Sequence, residues 1–151
     1  MLIALHEKDV EINYDKLIIK ALLHDLDETM TGDVLYPMKH EYGSGKIGQL
    51  IKDFVPELIE KDLLANIDND EIESFLIAYW KIAKSGDIEG EIVCAADMID
   101  CHLYALKEIK TGNKSMQGIL TKSYNIMCEK YRKFVFVNLV LDETEIYTGR
   151  L

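Results

Sequence analysis

Only two prolines and nine glycines interrupt the 151 residues, and apolar side chains recur at intervals of three and four rather than two. A helix turns once in about 3.6 residues whereas a strand alternates its faces, so this spacing predicts a set of amphipathic helices and an all-α fold. The length suits one domain with one substantial core. The clearest stripe, Ile92, Ala95, Ile99, Leu103 and Leu106, predicts a helix over about residues 88–110 that crosses the middle of the core and is closed by Thr111-Gly112-Asn113. A first helix is expected over about residues 13–26, with Leu17, Ile18, Ala21 and Leu22 on its stripe, Asn13 or Asp15 as N-cap, and His24 and Asp25 in its last turn.

Turn-forming residues gather between positions 31 and 48, including Gly43-Ser44-Gly45, and predict a loop with short helical pieces. Beyond it, residues 47–54 and 56–64 read as two short helices, the second opening on Pro56. Asp68-Asn69-Asp70 caps a helix running to about Lys84, and another helix is expected from about Ser115 to Arg132. The apolar, β-branched run over residues 134–141 fits helix and strand equally, and residues 142–151 read as irregular.

With 17 basic against 27 acidic residues, the formal net charge is −10. A surface of that sign repels nucleic acid, and no Lys/Arg stripe opposes it, so sequence-independent binding to DNA or RNA is excluded. A small anionic substrate remains compatible where a metal ion or a few lysines supply positive charge. Cys94, Cys101 and Cys128 are odd in number and lack CxxC spacing, which reads as reduced, mostly buried thiols of a cytoplasmic protein. No apolar run approaches the roughly 18 residues of a membrane span, and the opening MLIALHEKD is too soon charged for a secretory signal.

The chemistry concentrates in His24-Asp25-Leu26-Asp27-Glu28-Thr29-Met30-Thr31-Gly32-Asp33, where four acidic groups and one histidine fall at the end of an apolar helix. An adjacent imidazole and carboxylate at a helix end can turn toward one cation. Asp97 interrupts Cys94-Ala95-Ala96-Asp97-Met98-Ile99 with a carboxylate among small and apolar neighbours, a position expected to be shielded from solvent and therefore to need a cation or a hydrogen-bonding partner. A His-Asp pair also arises by chance, and Asp97 equally suits a lysine partner or a helix cap. His40 reads as a loop residue, His102 as a helix–helix boundary residue and Tyr79-Trp80 as aromatic packing, while Asp100 is placed to orient Asp97.

Taken together, these segments resemble the HD-domain phosphohydrolases, specifically the bacterial 5′-deoxynucleotidase branch and its phage relatives. Ala21-Leu22-Leu23-His24-Asp25 with Glu28 and Thr31-Gly32-Asp33 is similar to that branch's helix-end motif. Pro37-Met38-Lys39 resembles the Pro-Val-Lys that follows, and Ala96-Asp97 with Leu103-Tyr104-Ala105-Leu106-Lys107-Glu108 and Gly112-Asn113 resembles its later helix. The likeness covers about residues 1–135. It implies an HD-domain helical bundle in which His24, Asp25 and Asp97 hold a divalent metal such as cobalt, manganese or another transition ion. Glu28 would then act on the attacking water or in proton transfer, Asp33 would support the site, and Lys39 and Lys46 would bind substrate phosphate. The implied reaction releases phosphate from a deoxynucleoside 5′-monophosphate, and the implied assembly is a homodimer. The alternatives are a deoxynucleoside triphosphate triphosphohydrolase of the same fold and a degenerate HD protein that binds nucleotide without turnover.

One departure stands out. The family carries an earlier histidine, usually within Glu-His-Ser near the start of its first helix, and His6 is the only upstream histidine here. In an antiparallel pair of helices His6 would be displaced from His24 by roughly 10 Å, at ~1.5 Å rise per residue, too far for a shared ion. The expectation is a single HD domain over residues 1–151 that lacks the start of its first helix.

Overall fold

The computed structural model describes residue 7, residues 10–32, residue 34 and residues 46–148. Among them all regular structure is helical: α1 (Tyr14–Leu23), α2 (Glu28–Thr31), α3 (Lys46–Leu58), α4 (Asp70–Lys81), α5 (Ile88–Lys110), α6 (Gln117–Ile126) and α7 (Val135–Thr148). The all-α expectation holds. The chain forms two compact units, one of residues 1–18 with 85–151 and one of residues 19–84.

In the first unit α5, α6 and α7 pack on one another. The long helix runs as its stripe predicts. Asp87 caps it by accepting the Gly90 N–H at 2.8 Å. At the far end Gly112, at φ 103°, lets its own N–H reach the Ile109 carbonyl at 3.0 Å and the Asn113 N–H reach that of Glu108 at 2.9 Å. These paired bonds satisfy the orphan carbonyls of the last turn. Ile92, Ala95, Ile99 and Leu106 are buried, but Leu103 is 44% exposed and His102 beside it is fully buried. The inward position thus belongs to a polar ring rather than to the leucine that the stripe assigned there.

Tertiary packing settles the run over residues 134–141 as helix. Phe134, Val137, Leu141 and Thr144 are buried at intervals of three and four while Val135 and Leu139 are exposed, a pattern that no two-residue alternation reproduces. Phe134 stacks on Phe136 at a centroid distance of 5.4 Å. The Glu7 carboxylate, itself buried, accepts the Phe136 N–H at 3.0 Å and so satisfies a donor in the first turn of α7. The helix continues to Thr148, correcting the irregular tail expected from residue 142.

Asn13 is the cap of α1, accepting the Lys16 N–H at 3.0 Å, and Asp15 lies within the first turn. Of the predicted stripe only Leu17 is buried; Leu22 is 77% exposed and Ile18 is also exposed, while Lys20 is buried in their place. Glu89 joins the starts of α1 and α5, accepting the Asn13 N–H at 3.0 Å and pairing with Lys16 at 3.1 Å. Burial pushes the Glu89 carboxyl upward, but the Asn13 amide and the Lys16 ammonium more than offset it and hold the group below the ordinary carboxylate range.

His102 lies between α5, α6 and α7, its Nδ1 2.8 Å from Ser123 Oγ and its Nε2 3.0 Å from Thr144 Oγ1. Desolvation lowers its pKa, only partly countered by the Leu120 carbonyl. A depressed imidazole stays neutral in the fold while the unfolded chain still takes up a proton, so stability falls as pH drops through the ordinary value near ~6.5 and levels off below the folded one. The unfolding free energy from urea titrations between pH 7 and pH 5 should decline by at most ~1.4 kcal/mol per pH unit from this source. His102→Gln should remove that component, and an unchanged slope in the variant would assign the decline to other groups.

In the second unit α3 does not stop at Pro56 but runs through it into a π-helical turn (Ile59–Leu63) and a 3-10 turn (Leu64–Asn66). The two short helices expected here are one. Val55, Ile59 and Leu64 are buried in one cluster with Trp80 packed against it, so continuing the helix keeps a shared apolar face that outweighs the amide lost at proline. α4 starts where predicted, with Asn69 accepting the N–H groups of Glu71 and Ile72, both at 3.0 Å, but its last helical residue is Lys81. The packing of Trp80 matches its structural reading, and the Tyr79 ring lies tilted at 41° to that of Phe75 with centroids 4.6 Å apart.

Candidate metal centre

α1 ends at Leu23, so His24 and Asp25 occupy a turn between α1 and α2 rather than the last turn of a longer helix. The Leu26 N–H bonds the Leu23 carbonyl at 3.1 Å and the Glu28 N–H bonds that of Asp25 at 2.9 Å, which fixes the backbone of both residues. Gly32, at φ 67°, adopts the left-handed conformation that ends α2, its N–H reaching the Glu28 carbonyl at 2.8 Å.

His24 Nδ1 is 2.8 Å from the Ala21 carbonyl oxygen. A carbonyl only accepts, so Nδ1 carries the proton and donates it; in the neutral ring Nε2 is then a bare lone pair. That lone pair faces Asp25 Oδ2 at 2.7 Å. Two acceptors so close require a positive species between them, a proton or a metal ion. A backbone carbonyl on the far nitrogen is also one of the common second partners of a metal-ligating histidine. The pair therefore fits a divalent cation by its own chemistry.

The other oxygen of the carboxylate is taken as well: Lys84 Nζ lies 3.0 Å from Asp25 Oδ1. Sequence reasoning missed Lys84, which lies 59 residues away in sequence and just past the end of α4, in a turn held by the Ala83 N–H on the Trp80 carbonyl at 3.0 Å. No spacing rule connects positions so far apart.

Glu28 stands in the first turn of α2, half-buried. Lys46 is the exposed first residue of α3, a helix that packs on α2. Asp33 and Lys39 lie outside the described residues, as do His6 and His40. In the first unit Asp97 is on α5 and exposed, which corrects the expectation of a carboxylate shielded from solvent; no burial cost demands a cation there. Asp100 is exposed on the same helix. None of the cysteines forms a disulfide, but Cys101 is exposed and Cys94 and Cys128 are only half-buried, against the mostly buried thiols expected. No described helix is long and apolar enough to cross a membrane.

Comparison with known proteins agrees with the motif. A family profile described as 5′-deoxynucleotidase YfbR-like matches residues 1–145. A 5′-deoxynucleotidase of Pasteurella multocida is 28% identical over 116 residues, 77% of this chain and 57% of the relative. One from an Enterobacter species is 28% identical over 112 residues, covering 74% and 53% respectively. The 5′-deoxynucleotidase YfbR of Salmonella paratyphi B is 28% identical over 103 residues, covering 68% and 50%. This chain spans about half the length of these curated relatives. No solved structure gives a significant match. From the His24-Asp25 motif and a profile that runs nearly the length of the sequence, the chain belongs to the YfbR-like 5′-deoxynucleotidase family.

Proposed function

We propose that this protein is a metal-dependent phosphohydrolase that releases phosphate from deoxynucleoside 5′-monophosphates. The observation that carries the reading is the His24–Asp25 pair, two ligand atoms 2.7 Å apart with the imidazole's other nitrogen anchored on a carbonyl. His24 and Asp25 would hold a divalent ion, cobalt or manganese being the expected types. Asp97 is the third ligand by its match to the family's later helix. A divalent ion supplies an acidified water and polarises a phosphoryl oxygen.

The remaining roles fall to this chain's own groups. Glu28 takes a proton from the attacking water and returns one to the 5′-oxygen, as the new P–O bond forms and the bond to the 5′-oxygen breaks. Asp33 supports that site, and Lys39 and Lys46 draw in the phosphate. The reduced thiols suit the cytoplasm, and the assembly proposed is a homodimer. Incubating the protein with cobalt or manganese and a panel of deoxynucleoside mono- and triphosphates should release orthophosphate from the monophosphates. Tripolyphosphate from the triphosphates would replace this reading with the triphosphohydrolase, and metal binding without any release would replace it with a nucleotide-binding protein.

A further inference from the structure

We propose that Lys84 binds the substrate's phosphate, an assignment that rests on the metal-dependent reading above. A phosphate monoester carries about −1.5 to −2 charges near neutral pH. It must approach a turn that already bears Asp25, Asp27 and Glu28, so a bound divalent ion alone leaves the neighbourhood short of positive charge. Lys84 answers that need: its Nζ sits on Asp25 Oδ1, and Oδ2 of the same carboxylate faces His24 Nε2. The ammonium therefore stands beside the ligand atoms and not on a remote surface.

Its anchoring suits a substrate contact. Ala83 is buried and fixes the backbone, whereas the Lys84 side chain is 40% exposed and so accessible to an incoming anion. An ammonium has three N–H donors and can hold Asp25 and a phosphate oxygen together. The bland alternative is a partly exposed ion pair between two sequence-distant residues, which contributes little to stability and nothing to binding.

Calorimetry separates the two. Cobalt is titrated into metal-free wild type, Lys84→Met and Lys84→Arg, and orthophosphate into the cobalt-loaded forms. Lys84→Met should bind cobalt at least as well as wild type and lose about 10- to 100-fold in orthophosphate affinity, the range for a hydrogen bond to a charged group. Lys84→Arg, which keeps the charge, should recover most of it. Unchanged orthophosphate affinity in Lys84→Met would overturn the assignment and leave the metal site standing. Joint loss of cobalt and orthophosphate would also overturn it, making Lys84 a group that positions Asp25. Failure of wild type to bind cobalt would remove the metal-dependent reading itself, and this assignment with it.

Discussion

Asp25→Asn should abolish the divalent-cation binding proposed for His24 and Asp25 while leaving the helices intact. The substitution keeps the size of the side chain but removes its charge, and the amide has one acceptor oxygen where the carboxylate has two. In the fold both oxygens are engaged, Oδ2 toward His24 and Oδ1 with Lys84, so the amide loses a ligand, a counter-charge or both. Loss of a residue that merely supports a metal ligand typically weakens binding about 10- to 100-fold, so loss of the ligand itself should exceed about 100-fold. Phosphate release should fall in step. Glu28→Gln offers the contrast: metal content should be spared while turnover drops by about 10²- to 10⁴-fold, the usual contribution of a positioned acid–base group. Cobalt titration, far-ultraviolet circular dichroism and phosphate release on the two variants test the assignment together. Wild-type cobalt affinity in Asp25→Asn would remove Asp25 from the site, and full activity in Glu28→Gln would remove the proton-transfer role.

The parts of the molecule legible in the sequence are those governed by local rules. The extent of α5 was legible because the stripe and the closing glycine agree, with Gly112 placed as such a residue requires. His24 and Asp25 were legible as a pair because they are adjacent. Where the reading failed, a distant contact decided. Pro56 reads as a helix start, yet Val55 and Ile59 share one buried face and carry the helix through it. Leu103 reads as core, yet His102 takes the inward position because Ser123 and Thr144 satisfy its ring. Residues 142–148 read as irregular, yet Thr144 is buried against His102. Lys84 was not legible at all, since nothing within a turn or two of it announces a partner at Asp25.

Gly90→Ala should be among the most destabilising single substitutions in the chain. In an exposed helix, exchanging glycine for alanine stabilises by about 0.5–1 kcal/mol, because alanine loses less backbone freedom on folding. At Gly90 the sign reverses. A Cβ there would lie 2.1 Å from the Ser85 carbonyl oxygen, 2.8 Å from its nitrogen and 2.9 Å from its carbonyl carbon. All three are backbone atoms, so no side chain can swing aside. The obstruction also sits where the chain enters α5, with Asp87 capping on the Gly90 N–H and Glu89 holding Asn13 and Lys16. Relief would require moving the Ser85 backbone and breaking those bonds. The expected loss is about 3 kcal/mol or more, which for a chain of this size lowers Tm by roughly 6–12 °C. Gly118→Ala is the control, since nothing lies within 4 Å of a Cβ on that exposed residue of α6 and the ordinary helical gain should appear. Thermal denaturation of both variants should therefore shift in opposite directions. A Gly90→Ala protein as stable as its parent would mean that the approach of Ser85 to α5 is looser than the packing requires.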